Sequence, residues 1–425
     1  MSIWTRLGEN GREEKIGGFG SPPKQMILPT FYQTTLQAHL HTQQYLTLQL
    51  LLCLLQVHRQ VKLSVLASVF PQPIQYSSRK RNLQRFLVLP QLSVKMLWFP
   101  LVKYWIRQAQ TGRELNRGQR RRLKTLKHHK YGYWILAIDR TEWKGRNLFM
   151  VSLVWGTHAL PLYWDILKTP GNSDLRIQKR LLKTVLPLLK SCPVLVLGDR
   201  EFHSPKLAQW LDSKGVRFAL RQKKDLHFQD PSTADYTVVK DLKIQPGMKR
   251  FYSGILANKG DGLGPFNLAI YWKRSYRQKG PKEPWYILTN LPDLTQAIEL
   301  YQGRWGIEQL FKDCKSGGYN LEDTQVNERR FLALVLLVTM AYSLATLEGQ
   351  WLRTRRIHQY AGRLQEHQDK TLRHSDFNLG LYGQRWRYAM ELWADLAFQL
   401  MALKPHKHLY FQRGLHVLAL MQQAV

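Results

Sequence analysis

An open α/β sheet, preceded by helices and interrupted by a β-rich insertion, is the fold class this sequence predicts. Three observations predict it. Residues 131–222 alternate apolar strand-forming runs with amphipathic helical stretches, in the order β-β-β-α-β-α-β. Residues 225–290 lose helical periodicity and are punctuated by Gly and Pro. Residues 31–57 carry leucines at helical spacing, with basic helical segments behind them.

The elements follow in chain order. Residues 1–28 contain Gly, Lys, Glu and Pro22-Pro23 without periodicity, and read as an unstructured extension. Val61–Phe70 is a short amphipathic helix stopped by Pro71 and Pro73. Gln75–Leu87 is a second helix, with Ser77 or Ser78 as its cap and Arg79, Lys80, Arg81 and Arg85 on its basic side. Two short helices around a turn, the second basic, suggest a helix-turn-helix on a duplex. Residues 112–130 form a strongly basic connector suited to crossing a phosphate backbone.

From Tyr131 the texture changes. Tyr133–Ile138, Leu148–Trp155 and Ala159–Leu167 are rich in strand formers and read as an antiparallel meander, the second and third joined at Gly156-Thr157-His158. Leu175–Lys190 reads as a helix capped by Asn172 or Ser173. Val194–Leu197 is a buried strand, Ser204-Pro205 opens a helix ending at Gly215, and Val216–Leu220 is a fifth strand. This order is that of a ribonuclease-H-like core. The expected domains are therefore 1–28, extension; 29–130, helical DNA-binding region and connector; 131–224 and 291–347, two parts of one core; 225–290, a β-rich lobe beside it; and 348–425, a basic helical region.

Composition narrows the partners. Lys and Arg number 63 against 30 Asp and Glu, a net charge of +33 spread along all 425 residues. Such a charge repels itself, so a polyanion is the natural partner, and nucleic acid fits better than an anionic membrane surface. Fourteen Trp and nineteen Tyr add faces on which bases can stack. Cys53, Cys192 and Cys314 lack metal-ligand spacing and read as reduced thiols of a cytoplasmic protein. Phe331–Leu347 is uncharged and at the lower limit for a membrane span, but reads as a buried core helix.

The chemistry gathers on Leu300–Lys315, LYQGRWGIEQLFKDCK. At about 100° per residue, Tyr301, Arg304, Glu308 and Lys315 fall on one narrow face of a continuous helix, beside an apolar stripe of Leu300, Ile307 and Phe311. A lone carboxylate among a phenol, a guanidinium and an ammonium suits a phosphate grip beside a metal ligand. Asp139 follows one apolar strand and Asp199 another, at the carboxyl ends where ligands of open α/β sheets gather. With Glu308 they form a candidate three-carboxylate cluster, which needs a counter-charge. Oxygen-only ligation suits Mg²⁺, two ions in all, with Mn²⁺ as a substitute. Glu142 and Glu201 compete for the metal role.

These residues carry a resemblance. AIDRTEW around Asp139, LGDREF around Asp199, and Y-x2-R-x3-E-x6-K at Tyr301, Arg304, Glu308 and Lys315 resemble a DDE transposase of the insertion sequence 4 family. The likeness runs from about Phe31 to Leu347. It implies that Asp139, Asp199 and Glu308 are the catalytic, metal-binding triad. It implies that Tyr301, Arg304 and Lys315 bind DNA phosphates and a displaced base. It further implies that the insertion protects a hairpinned end and supplies a stacking tryptophan, Trp272 or Trp285. The expected partners are double-stranded DNA, as terminal inverted repeats and target, and a second copy in a synaptic homodimer, with no membrane. A catalytically silent DNA-binding descendant is the alternative; a structure-selective nuclease gives no reason for the polar-faced helix.

Overall fold

The protein is described here from a computed structural model, which places residues 28–112, 120, 123–143, 145–167, 173–233, 235–274, 283–363 and 373–423. The proposed extension, Leu28 apart, lies outside the described residues, as do residues 113–119, 121 and 122 of the basic connector.

Five helices come first: α1 (Thr30–Gln37), α2 (Thr42–His58), α3 (Leu63–Val69), α4 (Tyr76–Phe86) and α5 (Phe99–Thr111). On α2, Leu48, Leu51, Leu52 and Leu55 are buried, the spacing of one helical face. α4 starts earlier than the serines suggested. Gln75 stands at the N-cap without a side-chain bond, so Ser77 and Ser78 lie inside the first turn. Arg81 and Arg85 are exposed on it, while Arg79 and Lys80 are half-buried.

Ten strands form one sheet in the order β3-β2-β1-β4-β5-β10-β9-β8-β6-β7. β1 (Trp134–Trp143), β2 (Arg146–Trp155) and β3 (His158–Leu167) make the antiparallel meander. α6 (Leu175–Val185) follows, then β4 (Val194–Gly198), α7 (Pro205–Asp212) and β5 (Arg217–Arg221). β1, β4 and β5 run parallel. The cap of α6 is Asp174, which accepts from the Ile177 amide at 2.7 Å, rather than Asn172 or Ser173. Ser173 is engaged elsewhere, as described below.

The insertion contributes β6 (His227–Gln229), β7 (Tyr236–Val238), β8 (Lys249–Ala257), β9 (Leu263–Tyr271) and β10 (Trp285–Thr289). The strand content was expected; a separate lobe was not what formed. β10 pairs antiparallel with β5, Leu288 opposite Leu220, so the insertion extends the same sheet. The parallel edge of β5 offered unpaired backbone groups, and an incoming strand satisfies them.

After the sheet come α8 (Leu294–Tyr301), a 3₁₀ turn at Gln302–Arg304, and α9 (Trp305–Cys314). α10 (Glu328–Thr354) is long and apolar enough to cross a membrane, but 89% of its apolar window is buried inside the protein. It packs on α2, on β3 and on α11 (Asp376–Leu392). The chain closes with α12 (Ala394–Ala402) and α13 (His408–Gln423).

One buried network ties the last helices to α10. Gln384 on α11 donates to Glu348, and Arg387 donates to Gln384 and, at 3.2 Å, to the Met421 carbonyl. Burial pushes the Glu348 carboxyl from 4.5 up to about 7, against the pull of Arg387. A folded chain that holds this proton more tightly than the unfolded chain gains stability that is complete below pH 4.5 and is lost as pH rises through about 7. Glu348→Gln is expected to remove a pH dependence on the order of 3 kcal/mol across that window. Urea midpoints of the two proteins at pH 5 and pH 8 check it; equal slopes would contradict it.

Candidate active site

The parallel register of β1 and β4 builds the centre. Ile138 pairs with Gly198, so the next residues, Asp139 and Asp199, emerge side by side. β1 does not end at Asp139, as its apolar run suggested. It continues to Trp143 against β2, while its β4 neighbour stops at Gly198. Asp139 is therefore held by a ladder on one side and open on the other. Gly198 is required there: a Cβ would meet the Phe202 Cβ at 2.8 Å. Asp199 caps the short 3₁₀ turn Arg200–Phe202, accepting from the Glu201 amide at 2.8 Å. Asp139 accepts from the Arg140 amide at 2.7 Å.

α9 brings the third carboxylate. Its first turn packs directly on the start of β3, because Gly306 has no side chain; a Cβ would lie 2.6 Å from the His158 carbonyl oxygen. Ile307 and Phe311 are buried, as the apolar stripe predicted, and Leu310 is buried beside them. Glu308 is half-buried and borders an open cavity of about 390 Å³ with Trp305, Gln309, Lys312 and His158.

Arg304 stands between the two elements. It is buried, with Nη1 3.6 Å from Asp139 Oδ2 and Nη2 2.5 Å from Glu308 Oε1. Burial, and then the neighbouring Asp199 carboxylate, push the Asp139 carboxyl up to about 7, against the pull of the Arg140 amide and Arg304. Tyr301 is buried below, with the Trp285 ring edge-on at 5.1 Å. Burial raises its phenol to about 12 although Arg304 and Arg221 lie near it.

The three carboxylates were expected within reach of a shared ion pair. Asp139 and Asp199 are neighbours in the register, and the Arg304 guanidinium lies between Asp139 and Glu308; among the described residues no group of three His, Cys, Asp or Glu is drawn together for an ion. One expectation is corrected by this arrangement. The helix was to be continuous through Lys315. The 3₁₀ turn at Gln302–Arg304 breaks it, and Lys315 is the C-cap of α9, half-exposed and about 10 Å along the axis from Glu308. So the structure gathers Asp139, Asp199, Tyr301, Arg304 and Glu308, and leaves Lys315 at the far end.

The chemistry of the gathered donors nonetheless fits a divalent cation. All are oxygens, two carboxylates abut, and a cationic group already sits where their charge collects. Glu142 is exposed, and Glu201 is bonded to Arg140, so neither competes as a ligand. Sequence reasoning missed Arg221, Glu283 and Trp305 as neighbours of the centre. Arg221 ends β5 beside Tyr301 and shares Glu283 with Arg200, at 3.1 and 2.8 Å. Trp305 is 57% exposed, its ring 5.7 Å from the Arg304 guanidinium. The signal for Trp305 was its place inside the polar motif.

The chain resembles in structure a piggyBac transposase, solved by cryo-EM as a synaptic complex with hairpin DNA, at 11% identity and a TM-score of 0.41, covering 85% of this chain and 77% of that one. No curated protein sequence matches. The family described as Transposase DDE domain matches residues 102–344. That is more than half of the 425 residues, and it includes both aspartates, Arg304 and Glu308, so the chain belongs to the DDE-domain transposases.

Proposed function

We propose that this protein is a cut-and-paste DNA transposase of the insertion sequence 4 type, which binds transposon ends, cleaves them through a hairpin intermediate and joins them to target DNA. The observation that carries the reading is the side-by-side emergence of Asp139 and Asp199 from parallel strands, faced by Arg304 and Glu308. The β3-β2-β1-β4-β5 half of the sheet supports a ribonuclease-H-like core. Asp139, Asp199 and Glu308 would hold Mg²⁺ once Arg304 turns from the carboxylates toward a DNA phosphate. The chemistry such an ion would supply there is Lewis acidity, toward an attacking water or hydroxyl and toward the leaving oxygen.

The chain's own residues do the rest. Arg304 offers a two-pronged grip, Lys315 a point charge further along the strand, and Tyr301 a rigid floor. A net charge of +33 supplies the affinity for duplex. Two copies would pair the two ends. Incubation with the flanking element ends and Mg²⁺ tests the proposal: hairpinned ends support it, and intact ends under saturating binding refute it. The guanidinium bridge between Asp139 and Glu308 is the one feature favouring a silent DNA-binding descendant, and the same incubation decides between them.

A prediction concerns Trp305. Its exposed ring beside the carboxylates suits stacking on an unpaired base, worth about 1–3 kcal/mol. Trp305→Ala is expected to weaken binding of ends with a frayed terminal base by about tenfold or more. Binding of internal duplex should not change. Equal losses on both substrates would assign Trp305 to general packing.

A further inference from the structure

Between the two aspartates runs a closed hydrogen-bonded circuit. The Arg140 amide donates to Asp139, and the Arg140 side chain donates through Nε to Glu201 Oε2 at 2.8 Å. The Glu201 amide in turn donates to Asp199 Oδ1 at 2.8 Å. Each aspartate is thus held by the backbone of a residue whose side chain grips the other's holder. Glu201 Oε1 accepts from both the amide and the hydroxyl of Ser173, each at 3.0 Å. Gln178, buried on α6, donates to the Ser173 hydroxyl at 3.1 Å and to its carbonyl at 2.9 Å. The Arg140 and Glu201 side chains are 22% and 11% exposed, so solvent screens this pair far less than a surface one.

We propose that Arg140 and Glu201, anchored through Ser173 and Gln178, are positioning residues that set the separation of the Asp139 and Asp199 carboxylates for a divalent cation. The inference rests on the metal reading given above. Backbone pairing alone cannot set that separation. The β1–β4 ladder ends at Ile138 and Gly198, and beyond it Asp139 and Asp199 lead into different structures, a continuing strand and a 3₁₀ turn. An ion pair just past the end of the ladder replaces the missing bonds. Both oxygens of Glu201 are spent on this task, which is why a carboxylate so close to the centre is not itself a ligand.

The test uses the full-length protein and Mn²⁺ alone, followed by calorimetry, with element-end binding and thermal midpoints as controls. Partners that orient metal ligands typically contribute about 10–100-fold to affinity. Glu201→Gln keeps the shape but sets an amide against Arg140, and is expected to weaken Mn²⁺ binding about tenfold or more. It should raise the Mg²⁺ concentration for half-maximal cleavage in parallel, with end binding unchanged. Arg140→Lys should recover part of the loss relative to Arg140→Ala. Ser173→Ala, which leaves the backbone anchor, should lie between Glu201→Gln and wild type. Wild-type Mn²⁺ affinity in folded Glu201→Gln would overturn the brace alone. A wild-type protein that binds no Mn²⁺, and whose Asp139→Asn variant behaves identically, would overturn the metal reading and the brace with it.

Discussion

Asp199→Asn is expected to lower strand cleavage by on the order of a thousandfold or more while leaving the protein folded and bound to its DNA ends. The asymmetry follows from the two oxygens of Asp199. One accepts from the Glu201 amide and caps the 3₁₀ turn Arg200–Phe202. An asparagine oxygen keeps that bond, since Asn and Asp cap about equally well. The other oxygen would be a metal ligand, and an amide in its place removes a charge from the site. On the proposed function, end binding would rest on phosphate contacts by Lys and Arg and would not use this carboxylate. Single-turnover cleavage of labelled ends, beside gel-shift affinity, measures both. Cleavage within tenfold of wild type would show that Asp199 serves only as a cap.

Arg304→Ala carries the second large effect. Among the described residues the Arg304 guanidinium is the cation that pairs with both Asp139 and Glu308, and it is buried. Its removal leaves Asp139 without that counter-charge and, on the proposed function, would leave a DNA phosphate without its fork. Misplacing a reacting phosphate by about an ångström can cost a hundredfold in rate, and a loss of that size is expected. Hairpin formation should fall further than first-strand nicking, because the second strand must be bent back and held. Arg304→Lys should restore only part, since one ammonium cannot meet two carboxylates in the same geometry. Lys315→Ala, at the distant end of α9, should impair end pairing more than nicking. If Arg304→Ala nicks and hairpins at wild-type rates, the bridge is an internal ion pair without a part in cleavage.

Much of the framework was legible because local signals sufficed. The apolar runs before Asp139 and Asp199 became β1 and β4, and the stripe of Leu300, Ile307 and Phe311 became the buried face. Four features were not read. The break at Gln302–Arg304 left only Gly303 as a clue, and a single glycine is a weak one. The end of α9 had a stronger sign in Gly317-Gly318, outweighed by the spacing of the polar motif. The continuity of the sheet through β10 was beyond reach, since strand pairing is made by backbone groups that every residue shares. The Arg140–Glu201 pair lay inside two quoted motifs, but only the parallel register brings them together.

The pairing of β5 with β10 has a consequence for how such proteins can change. The chain leaves the core at Arg221 and comes back opposite it at Ile287, so the whole excursion begins and ends on neighbouring strands. Topologically it is the loop of one large hairpin. Its length costs little in closure entropy, which grows only logarithmically. Strands can be added or lost at the outer rim, beyond β9, without disturbing the register of β1, β4 and β5. The outer sheet is thus an exchangeable cassette. Exchange confined to the strands beyond β9 would leave Trp285 against Tyr301 and Glu283 between Arg200 and Arg221, so it is the outer rim, and not the returning strand, that can be swapped without touching the centre.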